Sequence, residues 1–156
     1  MSESTRLADQ IRRAFEGDAW HGDALLEIIT GVSAKTAAGR PIANAHSIWE
    51  LVLHIAAWDE AVIRRTGGTA FMPTDAQNFP PVKDTSEAAW TKTLDAVKKT
   101  HAELVKAVAA FPDSRLGEQV PGKTGSYYNF YYMFSGVVQH ELYHAGQIAL
   151  LKKAQP

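Results

Sequence analysis

Cysteine is absent from the 156-residue chain. Its absence excludes a disulfide framework, a cysteine-based zinc knuckle and a thiolate nucleophile supplied by the chain itself. Long apolar runs are absent too. No stretch approaches the roughly 18 uncharged apolar residues of a membrane span, so no membrane partner is expected. Nor is either charge in excess: 16 Lys and Arg stand against 17 Asp and Glu, a formal net charge of −1. A nucleic-acid binder carries a strongly basic face, so no nucleic-acid partner is expected. The opening Met1 to Arg6 is polar and includes an acid, unlike a secretory signal, and a cytoplasmic location is expected. At roughly 150 residues per domain, a single domain over 1–156 is expected.

The chain does have 46% hydrophobic residues, enough for a core, and six histidines. Any metal it holds must be bound by histidine and carboxylate. The apolar spacing is helical almost throughout. Leu7, Ile11, Ala14 and Phe15 step by threes and fours up to Gly17, and a short helix is expected from near Asp23 to Thr30. Gly31, Gly39 and Pro41 mark a connecting loop. Ser47 with Glu50 three residues on has capping-box spacing and opens a helix to about Arg65, striped by Ile48, Leu51, Ile55, Trp58 and Val62. Residues 66–83 show no period and read as a long loop, a crossover or part of a site rim. Asp84 with Glu87 is expected to open the third long helix. Its stripe of Trp90, Leu94, Val97, His101, Leu104, Val108 and Phe111 alternates steps of four and three up to Pro112. The last helix is expected from Tyr127 or Asn129 to Lys153. No strand-like alternation of useful length occurs. The expected fold is all-α, a four-helix bundle with long crossover connections.

A helix turns about 100° per residue. With Leu51 at zero, His54 falls at about −60°, inside the apolar arc of its helix. With Val137 at zero, His144 falls at about −20° and His140 at about −60°. His140 and His144 therefore stack one turn apart on a core-facing surface. A single inward histidine is ordinarily a satisfied core residue. Two at i and i+4 carry a desolvation cost with no partner on their own face, and that spacing lets two imidazoles meet one metal. With His54 at similar depth, the three make a three-His site with an open coordination position. His101, alone on a regular stripe, reads as a core residue or a donor behind the ligands. His21 reads as an exposed loop residue that could reach a pocket mouth, and His46 as loop or surface.

The pentapeptide His140-Glu141-Leu142-Tyr143-His144 fits two other patterns. It is literally H-E-x-x-H, in which Glu141 would activate water for peptide cleavage. Zincins usually supply a third ligand downstream, but no His, Asp or Glu follows His144. Glu141, at about +40°, also lies across the inner face from His140. The segment contains E-x-x-H as well, the half-motif of di-iron bundles, but no second copy exists.

The segments AHSIWELVLHIAAWDEAV and GVVQHELYHAGQIALLKK, with AFEGDAWHGDALLEII near the start, resemble the DinB/YfiT-like superfamily of metalloenzymes. The resemblance runs from about Ile11 to Lys153. It implies a four-helix bundle of down-up-up-down type and one divalent ion held by His54, His140 and His144. Relatives in that superfamily are thiol-dependent transferases and isomerases using bacillithiol or mycothiol, and others have been called metal-dependent hydrolases.

The leading functional expectation is a metal-dependent enzyme acting on a small molecule, a thiol S-transferase with Zn or Ni as the ion. Without cysteine, the nucleophilic sulfur would arrive on a low-molecular-weight thiol cosubstrate. A hydrolase in which the ion activates water uses the same site. Gln147 and Glu141 are the weak candidates for catalytic residues. Tyr127, Tyr128, Tyr131 and Tyr132 could rim a pocket or form the face of a homodimer. A non-catalytic metal-binding bundle would recruit His101 or Glu141 as a fourth ligand, and a structural bundle would hold no metal.

Overall fold

A computed structural model describes residues 1–155. These are helical, with one isolated bridge between Gln119 and Asn129. The helices are α1 (Glu3–Glu16), α2 (Leu25–Ile29), α3 (Ala34–Ala38), α4 (Ile48–Thr66), α5 (Asp75–Asn78), α6 (Glu87–Ala109) and α7 (Phe130–Lys153). A short 3-10 turn covers Asp113–Arg115. No helix is long and apolar enough to cross a membrane.

Small polar caps start the four long helices. Ser2, Ser47, Ser86 and Asn129 accept from the backbone N–H of Thr5, Glu50, Ala89 and Tyr132. Each relieves one of the orphan donors at a helix start. The capping box at Ser47 closes as expected: the Ser47 N–H donates to Glu50 Oε2 at 2.8 Å, and the Glu50 N–H donates to Ser47 Oγ at 3.2 Å. The start of α6 differs from expectation. Ser86, not Asp84, is the cap, because Asp84 Oδ1 accepts from the Ser86 N–H at 2.9 Å and serves the turn before the helix. The two expected loops also carry short helices. In one, α3 docks on α6 through the Ala34 N–H, which donates to Glu87 Oε1 at 2.9 Å. In the other, α5 brings Asn78 and Phe79 against α4.

The four long helices pack in a square. α4 lies against α6 and α7, and α1 lies against the same two, so α1 and α4 are diagonal, as are α6 and α7. The apolar interior divides into two clusters. One contains Phe15, Ile55, Val97, Ala145 and Ile148. The other contains Ile11, Val62, Leu104, Phe134 and Val137. α4 and α6 run from the first cluster to the second, and α1 and α7 run the opposite way. That is a down-up-up-down arrangement, which needs long crossings between parallel neighbours. Between the clusters, α4, α6 and α7 each place a fully buried ionisable residue in the interior: Asp59, His101 and Glu141.

Candidate metal centre

His54 on α4 and His140 and His144 on α7 come together at the wall of a cavity of about 430 Å³. His140 Nε2 lies 3.0 Å from His54 Nε2 and 3.1 Å from His144 Nε2. The three nitrogens are close enough to hold one metal ion between them. The second nitrogens explain why these rings converge. His54 Nδ1 lies 3.0 Å from the Asn78 carbonyl, which can only accept, so the proton of neutral His54 sits on Nδ1. His144 Nδ1 lies 2.6 Å from Gln147 Oε1, which fixes the same tautomer there. The Nε2 lone pairs of His54 and His144 therefore both point at His140, which has one Nε2–H at most. At least one pair of lone pairs faces another without a proton, an arrangement that a cation resolves. The donor set fits a divalent ion such as Zn or Ni, for which imidazole is a common ligand. Hydrogen bonds from the far ring nitrogens to a carbonyl and an amide match the usual support of metal-ligating histidines.

The surroundings favour neutral, ligating rings. Burial lowers the pKa of all three, and the neighbouring imidazoles push the same way. For His140, burial followed by His144 and His54 takes the value down to about 3. Phe79 stacks on the His54 ring at 4.2 Å, and its other neighbour is His46 at 3.9 Å. His46 is exposed and lines a neighbouring groove with Phe79 and His144. His21 is exposed and lies away from the cavity, in a groove beside Leu142 and Lys152.

Glu141, placed by spacing across the inner face, is fully buried and turned from the cavity toward His101. His101 is not a solitary core histidine. Its Nδ1 lies 3.1 Å from Asp59 Oδ2 and 3.1 Å from Glu141 Oε1, and its ring stacks on Phe15 at 3.8 Å. The donor atoms of this trio are also close enough to meet one ion. Burial alone would lower the His101 pKa, but the two carboxylates overcome it and raise it to about 9. Burial raises Glu141 to about 7 and raises Asp59 as well. The trio thus keeps protons, whereas the three-His cluster sheds them.

Gln147 is committed to His144 and does not line the main cavity. Tyr128 and the exposed Tyr132 line it, while the exposed Tyr127 and Tyr131 do not. Sequence reasoning missed Asn78, Asp59 and Arg65. Asn78 also accepts from Trp58 Nε1 at 2.8 Å through its side chain, and nothing in an aperiodic loop singles it out. The other two carried a signal. With Leu51 at zero, Asp59 falls at about +80° and Arg65 at about −40°. A charge inside an apolar arc is either paired or functional.

No curated protein and no solved structure matches the chain significantly. One family model does match, that of the DinB superfamily, over residues 18–148. The match takes in all three histidines of the cavity wall and most of the bundle, and the chain belongs to the DinB superfamily.

Proposed function

We propose that this protein is a metal-dependent enzyme for a small molecule, acting as a thiol S-transferase, with His54, His140 and His144 as the ligands of one divalent ion. The convergence of three Nε2 atoms beside a cavity of about 430 Å³ carries the reading. That volume suits a small ligand. A closed structural ion has four protein ligands, but only three converge here, which leaves a position open toward the cavity. An ion bound there would supply Lewis acidity and lower the pKa of a thiol or of water at neutral pH.

The chain's own residues hold that geometry. Asn78 and Gln147 fix the tautomers of His54 and His144, and Phe79 packs the His54 ring from one face. Trp58, Val62, Met133 and Val137 give the cavity an apolar wall. Glu141 faces away, so the zincin role for that residue gains no support. In the transfer, the thiol sulfur bonds to an electrophilic carbon of the acceptor. The leaving group departs with its electron pair, and the thiol proton passes to solvent. The absence of cysteine supports this reading to the extent that any sulfur nucleophile must be brought in.

The test is a screen of low-molecular-weight thiols with electrophilic acceptors, using protein loaded with Zn²⁺ or Ni²⁺. The expected result is metal-dependent loss of free thiol, abolished in His140→Ala. Hydrolysis of esters or amides without thiol consumption would replace transfer with the hydrolase reading. No turnover of either kind would leave a metal-binding bundle.

A further inference from the structure

Arg65 is a buried cation with no anion. It is only 1% exposed, yet it lines the same cavity as the three histidines. Its Nε donates to the Phe71 carbonyl at 2.8 Å, and Nη2 reaches only the weak acceptor Met72 Sδ at 3.6 Å. Its guanidinium carbon lies 5.5 Å from the Trp58 ring, a cation–π contact. Among the described residues no carboxylate lies within ion-pair distance of it. Asp59 shares the cavity wall, but its Oδ2 is turned to His101. A desolvated charge left without a counter-charge is costly, and in folded proteins such charges are almost always paired.

A second cation stands nearby, again without a carboxylate partner. Lys123 sits 5.1 Å over the ring of Tyr128, which lines the cavity. Its pKa is lowered by burial and then by the charge of Arg65. Neither cation is in an ion pair among the described residues, and together they leave a positive field at one end of a cavity whose one lining carboxylate, Asp59, is turned to His101. The three histidines stand at the other end. Trp58 spans the interval, with its ring 5.5 Å from the Arg65 guanidinium and 6.0 Å from the His140 ring.

We infer that Arg65 binds the anionic end of the small molecule whose reacting end lies at His54, His140 and His144, so that the ligand is a compact carboxylate or similar oxyanion. The guanidinium fork suits two parallel hydrogen bonds to such a group. The apolar wall between the two ends would accept a short hydrocarbon segment. This placement deepens the reading of the site as a small-molecule metalloenzyme and rests on it for the reacting end only, since the anion subsite stands on Arg65 itself.

Two probes of equal chain length separate the contributions: 3-mercaptopropionate, which carries the anion, and 3-mercapto-1-propanol, which does not. Their binding to the Zn²⁺-loaded protein is measured by calorimetry. The expected result is that the carboxylate probe binds about tenfold tighter or more, the worth of one hydrogen bond to a charged group. In Arg65→Met that preference falls to near one, while the alcohol probe keeps its affinity, which shows that the cavity is intact. Equal affinities in the unsubstituted protein overturn the inference without needing any variant, as does a preference that survives Arg65→Met. Propionate alone, titrated into metal-free protein with tryptophan fluorescence as the readout, distinguishes the two readings. If neither thiol binds but propionate binds in an Arg65-dependent way, the thiol reading fails and the anion subsite stands. If both thiols bind equally and propionate does not bind, the anion subsite fails and the metal reading stands.

Discussion

Two ionisable clusters lie within the bundle, three histidines on a cavity wall and His101 with Asp59 and Glu141 in the buried layer between the two cores. At the wall, His140 meets only His54 and His144, and burial with like neighbours drives its pKa to about 3. In the layer, His101 meets Asp59 and Glu141, and the carboxylates raise its pKa to about 9 despite the burial. Glu141 directly follows His140 along α7, but the helical turn of about 100° per residue aims the two side chains at different neighbours. The identity of the partners therefore decides whether a buried imidazole keeps its proton or offers its lone pair. The layer keeps protons on its imidazole and carboxylates, although His101 Nε2 and both Glu141 oxygens have no hydrogen-bond partner. The wall has lone pairs facing one another, a donor set that could hold an ion.

The largest expected effect comes from breaking the layer. Asp59→Leu takes one of two carboxylate partners from a buried, protonated His101 and leaves only Glu141, and losing one partner of a buried pair costs about 3–5 kcal/mol. His140→Ala, measured in metal-free protein, should cost less than Asp59→Leu, because His140 is half-buried and its single Nε2–H satisfies at most one of its two imidazole neighbours. Urea unfolding of both variants makes the comparison. Equal losses would mean that the clusters do not differ as described.

The next effect is on pH dependence. The folded state holds the pKa of His101 and Glu141 above their ordinary values, so it binds more protons than the unfolded chain. Their contribution is present at low pH and is lost as pH rises through about 7 for Glu141 and about 9 for His101. The wall histidines have lowered values, and their contribution is complete once pH exceeds the ordinary histidine range. Metal-free protein should therefore lose Tm between pH 7 and 9.5, and His140→Ala should lose it equally. A Tm that rises across that window would reverse the assignment.

Metal then sharpens the contrast. Zn²⁺ at about 100 times its dissociation constant should stabilise the protein by about 2.7 kcal/mol. At about 2–4 °C per kcal/mol, calorimetry resolves that shift. It should vanish in His140→Ala. The smallest effect is expected for Gln147→Ala, which frees the His144 ring and should weaken metal affinity by about 10–100-fold without abolishing binding. Competition with a chromogenic chelator reads that change, and an unaltered affinity would show that Gln147 does not orient the ring.

Much of this arrangement was legible in the chain. The turn of the helix put His54, His140 and His144 on inner faces, and Ser47 with Glu50 announced α4. What periodicity cannot report is what stands opposite a residue. His101 kept the rhythm of its stripe, so it read as core, and its partners on α4 and α7 became visible only once the helices were packed. α3 and α5 were hidden because helices of four or five residues are too short to show a period. Asn78 acts partly through its backbone carbonyl, which every residue has. Arg65 was the readable omission, a charge well inside an apolar arc.

The central claim is tested most directly by elemental analysis of protein purified without an affinity tag, alongside His140→Ala and Asp59→Asn. The expected result is about one divalent ion per chain in the unsubstituted protein and in Asp59→Asn, and none in His140→Ala. An ion that survives His140→Ala but is lost in Asp59→Asn would move the metal to the buried layer and contradict the account.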